Sequence, residues 1–321
     1  MIFECKGLTY ILTVSGRNIL RASLFRHDIE VVAINHTCAN VQDVIYLIQY
    51  DSTHGLLSKY GCDFEITPSN DGNLLVNGRK IFLTSERDLT KLNWSLYGAD
   101  YIAECTGRFR STEKAQAHVE HGLAKKVLIS ASSSDAPTLV YRVNTEQYAL
   151  EKDQNVVFSC ASCTTNCLAP LVKTLDDEFG VSQAFMSTVH ATTQSQHVLD
   201  GYSEKDRRSG RSAMGNIIPT TTGASKAIAK VLPHLAGKVA GISVRVPTTN
   251  VSMVDLVIQT SKPTTIDDIL DTFRSAANHN MASVLEVEEG ELVSCDFLGR
   301  SCSAVVDVHA SSQLSPNVRD L

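Results

Sequence analysis

The stretch IEVVAIN, residues 29–35, is a continuous apolar run of the kind that forms a strand buried on both faces of a sheet. A strand-like run, TYILTV (residues 9–14), comes before it. The segment between them, RNILRASLFRH (residues 17–27), carries its apolar side chains at helical spacing. Because strands that alternate with helices favour parallel pairing, this part of the chain predicts the start of an α/β domain.

The same alternation continues toward the middle of the chain. ADYIAECTG (residues 99–107) and KKVLISAS (residues 125–132) predict two further buried strands, and STEKAQAHVEHGLA (residues 111–124) predicts the helix between them. Within NLLVNGRKIFL (residues 73–83), the Asn77-Gly78 pair predicts a tight β-hairpin. The first half is therefore predicted to be a doubly wound, Rossmann-like parallel-sheet domain.

The second half has a different pattern. GISVRV (residues 241–246), NVSMVDLVIQTS (residues 250–261) and SCSAVVDVHA (residues 301–310) are alternating runs with few crossovers, which favours a mostly antiparallel sheet covered by helices on one face. An amphipathic helix is predicted between them, with Thr265 and Asp268 as a capping box. We therefore predict a second, α+β domain and place the boundary near Ser162, between residues 1–162 and 163–321.

Composition excludes several classes of protein. The 321 residues are 43% hydrophobic and 20% charged, with a net charge of −6, which argues against a nucleic-acid partner. The most basic stretch, EKDRRSGR (residues 204–211), contains acids and is interpreted as a structured surface or interface loop. No run reaches the roughly 18 apolar residues of a membrane span, and the N-terminal segment lacks a cleavage pattern. Nine cysteines without a spaced framework favour a reducing cytoplasm.

The segment VVFSCASCTTNCLAP (residues 156–170) carries three cysteines. The apolar spacing that follows predicts a helix that Pro170 kinks and Gly180 ends. Cys163 then lies near the helix N-terminus, where unpaired N–H groups and the helix dipole lower a thiol pKa. His190, at the end of the strand-like AFMSTVH (residues 184–190), is the candidate base for this nucleophile.

Other interpretations of these thiols remain open at this point. Cys160 and Cys163 form a C-x-x-C at a helix start, which is typical of dithiol redox proteins. Cys160, Cys163 and Cys167 could ligate a metal, but no matching second pair of ligands follows, so no metal site is predicted. A purely structural role for the thiols is the remaining alternative.

SCASCTTNCLAP resembles the active-site segment of the glyceraldehyde-3-phosphate dehydrogenase family, whose usual form is SNASCTTNCLAP. The resemblance extends over nearly the whole chain. It includes, in order, RNILRA, VVAIN, YDSTHG, SERD, GADYIAECTG, TVHATT, NIIPTTTGASKA, RVPTTNVS and SCDFLG.

The resemblance implies a phosphorylating, NAD-dependent aldehyde dehydrogenase of glycolysis. Cys163 matches the family nucleophile and His190 its base, so that a thiohemiacetal, a thioester and phosphorolysis of the thioester are implied in that order. Two anion sites are implied as well: Ser162, Thr164, Thr222 and Gly223 for inorganic phosphate, and Thr193 and Arg245 for the phosphate of the aldehyde substrate. Cys167 is implied to be a helix-packing residue, and the assembly a cytoplasmic homotetramer.

The cofactor side departs from the family pattern. The family begins with GFGRIGRN, whereas Ile11 and Thr13 occupy the first two glycine positions here and only Gly16 remains. His36 stands where an acidic residue would bind the adenosine ribose, which leaves NADP as an alternative to NAD. The other residues that match family cofactor contacts are Asn35, Arg87, Thr106, Gly107 and Ser130.

The sequence also lacks the family's C-terminal segment, SWYDNEFGYS, and the helix that follows it. This leaves two expectations open, a paralogue that binds its cofactor weakly or a chain whose ends differ from the true ones. Three functions follow: the family dehydrogenase, a catalytically impaired paralogue that acts as a thiol-reactive or partner-binding protein, and a dithiol redox protein that uses Cys160 and Cys163.

Overall fold

The computed structural model describes residues 5–11, 13–60, 64–150, 155–204 and 206–321. These residues form two compact units, one within Met1–Thr138 and Glu151–Ala161 and the other within Leu139–Leu150 and Ser162–Leu321. The predicted fold class is confirmed, since the first unit is built on a mainly parallel sheet and the second on a mostly antiparallel one. No helix among the described residues has the length and apolar character needed to span a membrane.

The first unit alternates strands and helices, as the sequence predicts. In chain order its elements are β1 (Cys5–Ile11), α1 (Val14–Ser23), β2 (Ile29–Asn35), α2 (Val41–Gln49), β3 (Ile66–Pro68), β4 (Leu74–Val76), β5 (Arg79–Thr84), β6 (Tyr101–Glu104), α3 (Thr112–Glu120), β7 (Lys126–Ile129) and β8 (Val157–Ser159). Short 3₁₀ helices cover Leu57–Tyr60, Leu89–Lys91 and Trp94–Tyr97.

These strands form an eight-stranded sheet in the order β3-β4-β5-β2-β1-β6-β7-β8, parallel from β5 to β8. The prediction for IEVVAIN is confirmed residue for residue. Neighbouring Ala33 and Ile34 are both fully buried and belong to the two separate hydrophobic cores. The second half of the central strand β2 is therefore covered on both faces, as its apolar residues require, whereas Glu30 near its start is exposed.

The edge hairpin is also confirmed. β4 and β5 pair antiparallel around Asn77 and Gly78, whose φ angles are 49° and 76°. Positive φ at both positions is what a two-residue hairpin turn of the favoured twist needs, and Asn followed by Gly meets it at low cost.

One prediction in this unit is wrong in its boundaries. The strand expected over residues 9–14 ends at Ile11, and the helix expected from residue 17 begins at Val14. The reason is local, because the Thr13 hydroxyl accepts a hydrogen bond from the backbone N–H of Gly16 at 3.2 Å and so caps the helix early. Leu12 and the side chain of Ile11 lie outside the described residues.

The second unit begins with a short helix within Leu139–Leu150 and continues with the helix of the cysteine segment. Its elements are α4 (Thr145–Leu150), α5 (Cys163–Phe179), β9 (Val181–Ala191), β10 (Ile218–Thr220), α6 (Ala224–Val231), β11 (Val239–Val246), β12 (Met253–Thr260), α7 (Ile266–Asn278), β13 (Leu285–Glu288), β14 (Ala304–Asp307), β15 (Ser312–Ser315) and β16 (Val318–Asp320). Short 3₁₀ helices cover Arg208–Gly210, Pro233–Leu235 and Ser294–Phe297.

The main sheet of this unit has the order β10-β11-β9-β12-β16-β15. Its pairs are antiparallel except β9 with β11, which is parallel. The capping box predicted for α7 is present, with the Thr265 hydroxyl and the Asp268 carboxylate each accepting a backbone N–H. Gly180, with φ 68°, ends α5 as predicted, and Pro170 lies inside that helix.

The segment SCSAVVDVHA does not join this sheet, contrary to the expectation. Only Ala304–Asp307 is a strand, and it pairs in parallel with β13 in a separate two-stranded sheet. The connection from β13 crosses over before it returns, so the two strands run in the same direction. Arg300 in that connection binds Glu286 at 3.0 Å and Glu288 at 2.7 Å and thereby ties the crossover to β13.

Candidate active site and cofactor-binding residues

Cys163 is the first residue of α5. The N-cap is Ser162, whose hydroxyl accepts the backbone N–H of Thr165 at 3.1 Å. Ala161, just before the cap, has φ 62°, a conformation that residues other than glycine seldom adopt. Residues held in such conformations cluster at functional sites, and here the turn leads directly to an exposed thiol at a helix N-terminus.

His190 reaches this thiol from β9. Met186, Thr188 and His190 alternate along the buried side of β9, so the strand period brings the imidazole to the face of the sheet on which it is covered. The Nε2 atom of His190 lies 3.2 Å from Sγ of Cys163. The Nδ1 atom lies 2.8 Å from the carbonyl oxygen of Ala191. When Nδ1–H donates to that carbonyl, Nε2 is left free to accept the thiol proton.

The electrostatic surroundings of Cys163 favour a thiolate. Desolvation by the surrounding protein raises its pKa, but the hydrogen bond and the charge of His190, together with hydrogen bonds from Thr164, outweigh this term. The net result is a pKa of the Cys163 thiol below its ordinary value of 9.0. A depressed thiol pKa beside a histidine is what an activated cysteine nucleophile requires.

The other thiols of the segment behave differently. Desolvation raises the pKa of Cys160, and burial raises the pKa of Cys167 to about 12. No disulfide joins any of the described cysteines, so Cys160 and Cys163 are separate thiols here. Of the three thiols, Cys163 alone combines exposure, a neighbouring base and a lowered pKa.

Arg245 lies opposite His190 in the parallel pair of β11 with β9. Its Nη1 contacts Nδ1 of His190 and donates to the carbonyl oxygen of Ala191 at 2.9 Å. Its Nε is buried and has no hydrogen-bond partner in the described part of the chain. An unpaired buried N–H is costly, and an anionic ligand that reached it would remove that cost.

The remaining residues predicted to bind phosphate lie on three different segments of the second unit, the start of α5, the turn after β9 and the start of α6. Thr164 is buried next to Cys163, whereas Thr193 lies in the exposed turn after β9, where its hydroxyl donates to Oε1 of Gln196 at 2.9 Å. Gly223 is the N-cap of α6, and the Thr222 hydroxyl accepts the backbone N–H of Ala224 at 3.2 Å. None of the hydrogen bonds found for Thr193 or Thr222 in the described chain involves Cys163 or His190.

In the first unit, the predicted cofactor residues lie at the carboxyl ends of the parallel strands. Sheet order reverses between β1 and β6, and in such sheets ligands bind outside the carboxyl ends of the strands at this point. Gly16 is buried in the first turn of α1 after β1, Asn35 ends β2 and His36 follows it, and Ser130 follows β7. Thr106 and Gly107 follow β6.

The loop after β6 is held by a buried network that sequence reasoning missed. Oε1 of Glu104 accepts the backbone N–H of Thr106 at 2.7 Å and also its hydroxyl. Oε2 of Glu104 lies 3.1 Å from Nε2 of His118, and Nδ1 of His118 accepts Nε1–H of Trp94 at 3.1 Å. All three side chains of the network, Glu104, His118 and Trp94, are 1% exposed. The signal available in the sequence was a lone acid at the end of an apolar strand.

The carboxyl ends of the parallel strands have one feature that favours binding of a dinucleotide and one that opposes it. Gly107 has φ 69° and open space where a side chain would begin, so the backbone there is accessible to a ligand. At the first turn of α1, however, the Thr13 hydroxyl already occupies the N–H of Gly16 and also donates to the carbonyl oxygen of Cys105 at 2.8 Å. NAD therefore fits the site, although a pyrophosphate must compete with Thr13 for that N–H.

The chain has a Rossmann-type sheet and an activated cysteine beside a histidine. These two features together are typical of a nicotinamide-dependent oxidoreductase that works through a thiol. Family models described as "Glyceraldehyde 3-phosphate dehydrogenase, NAD binding domain" and "Glyceraldehyde 3-phosphate dehydrogenase, C-terminal domain" match residues 14–112 and 162–320. The chain belongs to the glyceraldehyde-3-phosphate dehydrogenase family.

Curated relatives agree with the family models. The chain is 46% identical to glyceraldehyde-3-phosphate dehydrogenase 1 of Mucor circinelloides f. lusitanicus over 94% of its length and 86% of the relative. It is also 46% identical to glyceraldehyde-3-phosphate dehydrogenase 1 of Schizosaccharomyces pombe, over 94% of this chain and 87% of the relative. The cytosolic glyceraldehyde-3-phosphate dehydrogenase of Chlamydomonas reinhardtii is 46% identical to this chain, over 94% of this chain and 86% of the relative.

Proposed function

We propose that this chain oxidises glyceraldehyde 3-phosphate to an acyl phosphate, with NAD as the hydride acceptor and inorganic phosphate as the second substrate, in glycolysis. The observation that carries the proposal is the 3.2 Å approach of His190 Nε2 to Cys163 Sγ at the N-terminus of α5. It is supported by the lowered pKa of that thiol and by 46% identity to dehydrogenases of this name.

The proposed chemistry uses Cys163 as the nucleophile and His190 as the group that moves protons. His190 Nε2 takes the thiol proton, the Cys163 thiolate attacks the aldehyde carbon, and the imidazolium returns the proton to the carbonyl oxygen, which gives a thiohemiacetal and a neutral His190. Bound NAD supplies the hydride acceptor. His190 accepts the hydroxyl proton as the thioester forms, and an oxygen of inorganic phosphate then attacks the thioester carbon and releases the thiolate. The helix N-terminus holds Cys163 as an anion before and after the reaction.

The phosphate groups are assigned to the polar side chains and backbone groups around the pair. We propose Arg245 and Thr193 for the phosphate of the aldehyde, since the Arg245 Nε is buried without a partner and Thr193 follows β9 in an exposed turn. The sites for inorganic phosphate are Ser162 and Thr164 at the start of α5, and Thr222 and Gly223 at the start of α6. Helix N-termini and guanidinium groups are favourable partners for phosphate.

The division of labour between domains is part of the proposal. Residues 1–162 bind the cofactor through Gly16, Asn35, His36, Arg87, Thr106, Gly107 and Ser130, and residues 163–321 carry the catalytic pair and the subunit contacts. The parallel strand ends that present the seven cofactor residues support the first part. The position of Cys163 and His190 in α5 and β9 supports the second.

A homotetramer in the cytoplasm is proposed for the assembly and its location. One face of the sheet in the second unit exposes Phe185, Ile242, Met253 and Val257, at 45%, 52%, 59% and 38%. Exposed apolar faces of this kind are typical of subunit interfaces. The Chlamydomonas relative is named a cytosolic enzyme. Sedimentation equilibrium of the purified chain measures the assembly, and a monomer mass would exclude the tetramer.

A spectrophotometric assay for NADH tests the activity. We expect turnover that needs aldehyde, NAD and inorganic phosphate together, and that disappears in Cys163→Ser while NAD binding is retained. Turnover that is absent in the unmodified chain, with a thiol that still reacts rapidly, would leave the impaired, thiol-reactive paralogue. Loss of activity in Cys160→Asn would instead support the dithiol protein, because the dehydrogenase does not need a thiol at that position.

A further inference from the structure

Glu104 is the last residue of β6, and its buried carboxylate takes no part in the proposed chemistry. Its Oε2 lies 3.1 Å from Nε2 of His118. Its Oε1 accepts the backbone N–H of Thr106 at 2.7 Å and also the Thr106 hydroxyl. No lysine or arginine in the described part of the chain forms an ion pair with Glu104, so its charge state depends on His118.

His118 does not neutralise this carboxylate. Nε1–H of Trp94 donates to Nδ1 of His118 at 3.1 Å, so the ring proton lies on Nε2 and is donated to Glu104. A second proton, on Nδ1, would leave the indole N–H without its acceptor inside the core, where both side chains are buried. All three hydrogen bonds to Glu104 therefore come from uncharged donors, and the carboxylate keeps its full negative charge.

The position of this charge in the sheet gives it a use. A buried charge without a counter-ion is costly, and hydrogen bonds offset only part of that cost, so such groups are typical of functional sites. Strand β6, which ends at Glu104, lies next to β1, at the point where the order of the parallel strands reverses. In sheets of this kind the dinucleotide binds outside the strand ends at that point.

The strand end belongs to the half of the sheet that would take the nicotinamide nucleotide. A Rossmann-type sheet has two mononucleotide-binding halves, and the adenosine falls to the half that contains β1 and β2, which leaves β6 to β8 for the nicotinamide. Glu104 also fixes the loop at this strand end. The Thr106 hydroxyl that it binds accepts the backbone N–H of Arg108 at 2.9 Å, and Gly107 between them has open space on its Cβ side.

We infer that Glu104 is a positioning residue for the nicotinamide half of the cofactor, and that its uncompensated charge makes this chain bind oxidised NAD in preference to NADH. The nicotinamide ring is cationic when oxidised and neutral after it has accepted a hydride, so a fixed anion at this strand end attracts the oxidised form alone. The inference rests on the proposed dehydrogenase function.

Calorimetric titration with oxidised NAD and, separately, with NADH tests the inference without turnover. Cys163→Ser is the parent for every variant, because it removes the thiolate, which is the other anion of the proposed site. We expect the parent to bind oxidised NAD at least threefold more tightly than NADH. Glu104→Gln removes the charge and should reduce this ratio of dissociation constants at least threefold.

Glu104→Asp is the matched control, since it keeps the charge on a shorter side chain. A distorted loop should weaken both cofactor forms alike, because they share the adenosine, the pyrophosphate and both riboses. We therefore expect the Asp variant to lose affinity for both forms by the same factor and to keep the ratio of the parent within twofold. The ratio thus separates an effect of charge from an effect of structure.

The outcomes distinguish this inference from the proposed function. A ratio that is unchanged in Glu104→Gln, or that changes equally in Glu104→Asp, overturns the inference and leaves the dehydrogenase standing. A parent that binds neither form overturns both. If Glu104→Gln fails to unfold cooperatively on heating, the parent itself decides: tighter binding of oxidised NAD supports the inference, and equal or tighter binding of NADH overturns it.

Discussion

Arg245 and His190 converge on one acceptor, the carbonyl oxygen of Ala191, with Nη1 of Arg245 at 2.9 Å and Nδ1 of His190 at 2.8 Å. Nη1 of Arg245 also contacts Nδ1 of His190, across paired strands that run in the same direction. Because a guanidinium only donates, this contact favours the tautomer in which Nδ1 accepts and competes with donation from Nδ1–H to Ala191. An anion that draws Arg245 away leaves this carbonyl to His190 alone. The imidazole then keeps its proton on Nδ1 and its lone pair on Nε2, toward Cys163. With Arg245 in the proposed role of holding the substrate phosphate, we expect substrate binding and alignment of the base to be coupled through this one oxygen atom.

Arg245→Gln should accordingly discriminate between substrates. We expect kcat/KM for glyceraldehyde 3-phosphate to fall at least tenfold, about 1.4 kcal/mol, because the charged contact to the substrate phosphate is lost. For glyceraldehyde without a phosphate the fall should be smaller than threefold. Steady-state kinetics with the two substrates measure both values. Equal losses would instead assign Arg245 to the positioning of His190 and remove it from the phosphate site.

His190→Ala should raise the pH at which Cys163 becomes reactive. In the folded protein, desolvation raises the pKa of the thiol, and the contacts with His190 and Thr164 lower it below 9.0. Without the imidazole, desolvation dominates, so the midpoint of the alkylation profile should move to higher pH. Iodoacetamide rates between pH 5 and 10, with peptide mapping to identify Cys163, measure the shift. Thr193→Ala, in the same turn region but without a contact to the thiol, is the control and should leave the midpoint unchanged.

Thr13→Gly should strengthen NAD binding. The Thr13 hydroxyl occupies the N–H of Gly16 at 3.2 Å, and its removal frees that donor for the pyrophosphate. We expect at least threefold tighter binding by calorimetry, together with a loss of a few tenths of a kcal/mol in stability from the weaker cap. Thr13→Ser keeps the hydroxyl and should bind NAD as the unmodified chain does. A Gly variant with unchanged affinity would mean that the pyrophosphate does not use this N–H.

Glu104→Gln should destabilise the first unit. The new amide would place an N–H₂ group against one of the donors that Glu104 now accepts, either His118 or Thr106, and a buried donor without an acceptor costs about 1–3 kcal/mol. Trp94 is the single tryptophan of the chain and belongs to this network, so its fluorescence reports urea unfolding directly. Glu120→Gln, on the exposed end of α3, is the control and should stay within about 0.5 kcal/mol. Equal unfolding midpoints for the two variants would contradict the role given to Glu104.

Asp51→Asn should reduce the dependence of the free energy of unfolding on pH in the acidic range. Burial raises the pKa of Asp51, but backbone N–H groups of His54 and Thr53 and the side chains of Arg17 and His54 outweigh it and hold the pKa well below its usual range. A carboxylate with a depressed folded-state pKa stabilises the protein fully above its unfolded pKa, about 3.9, and this contribution is lost as the pH falls below that value. The variant should therefore be less stable at pH 7, and the difference should shrink toward pH 3.

Urea unfolding at pH 7, 5 and 3 measures this difference. Asp71→Asn is the matched control, because Asp71 is exposed and its ion pair with Lys80 is open to solvent. We expect little change in that variant at any of the three pH values. A constant difference between the Asp51 variant and the unmodified chain across the series would contradict the assignment.

The sequence by itself determined the features whose cause lies within a few residues. Asn77-Gly78 predicted a turn because both residues tolerate positive φ, and Thr265 with Asp268 predicted a helix start because their side chains reach backbone groups one turn away. The apolar run of β2 predicted a fully covered strand for the same local reason. The candidate pair of Cys163 and His190 was also predictable, from a helix start, a strand end and a family resemblance, although its distance was not.

Only the tertiary structure decided the contacts between groups that are distant along the chain. Glu104, His118 and Trp94 meet because β6, α3 and a 3₁₀ segment pack together, and Arg245 meets His190 because β11 pairs with β9 in a particular register. The early start of α1 depended on a competition, since the Thr13 side chain could extend a strand or cap a helix. Burial and hydrogen bonding gain free energy from atoms brought together in space, so a pattern of residue types does not reveal which of them meet.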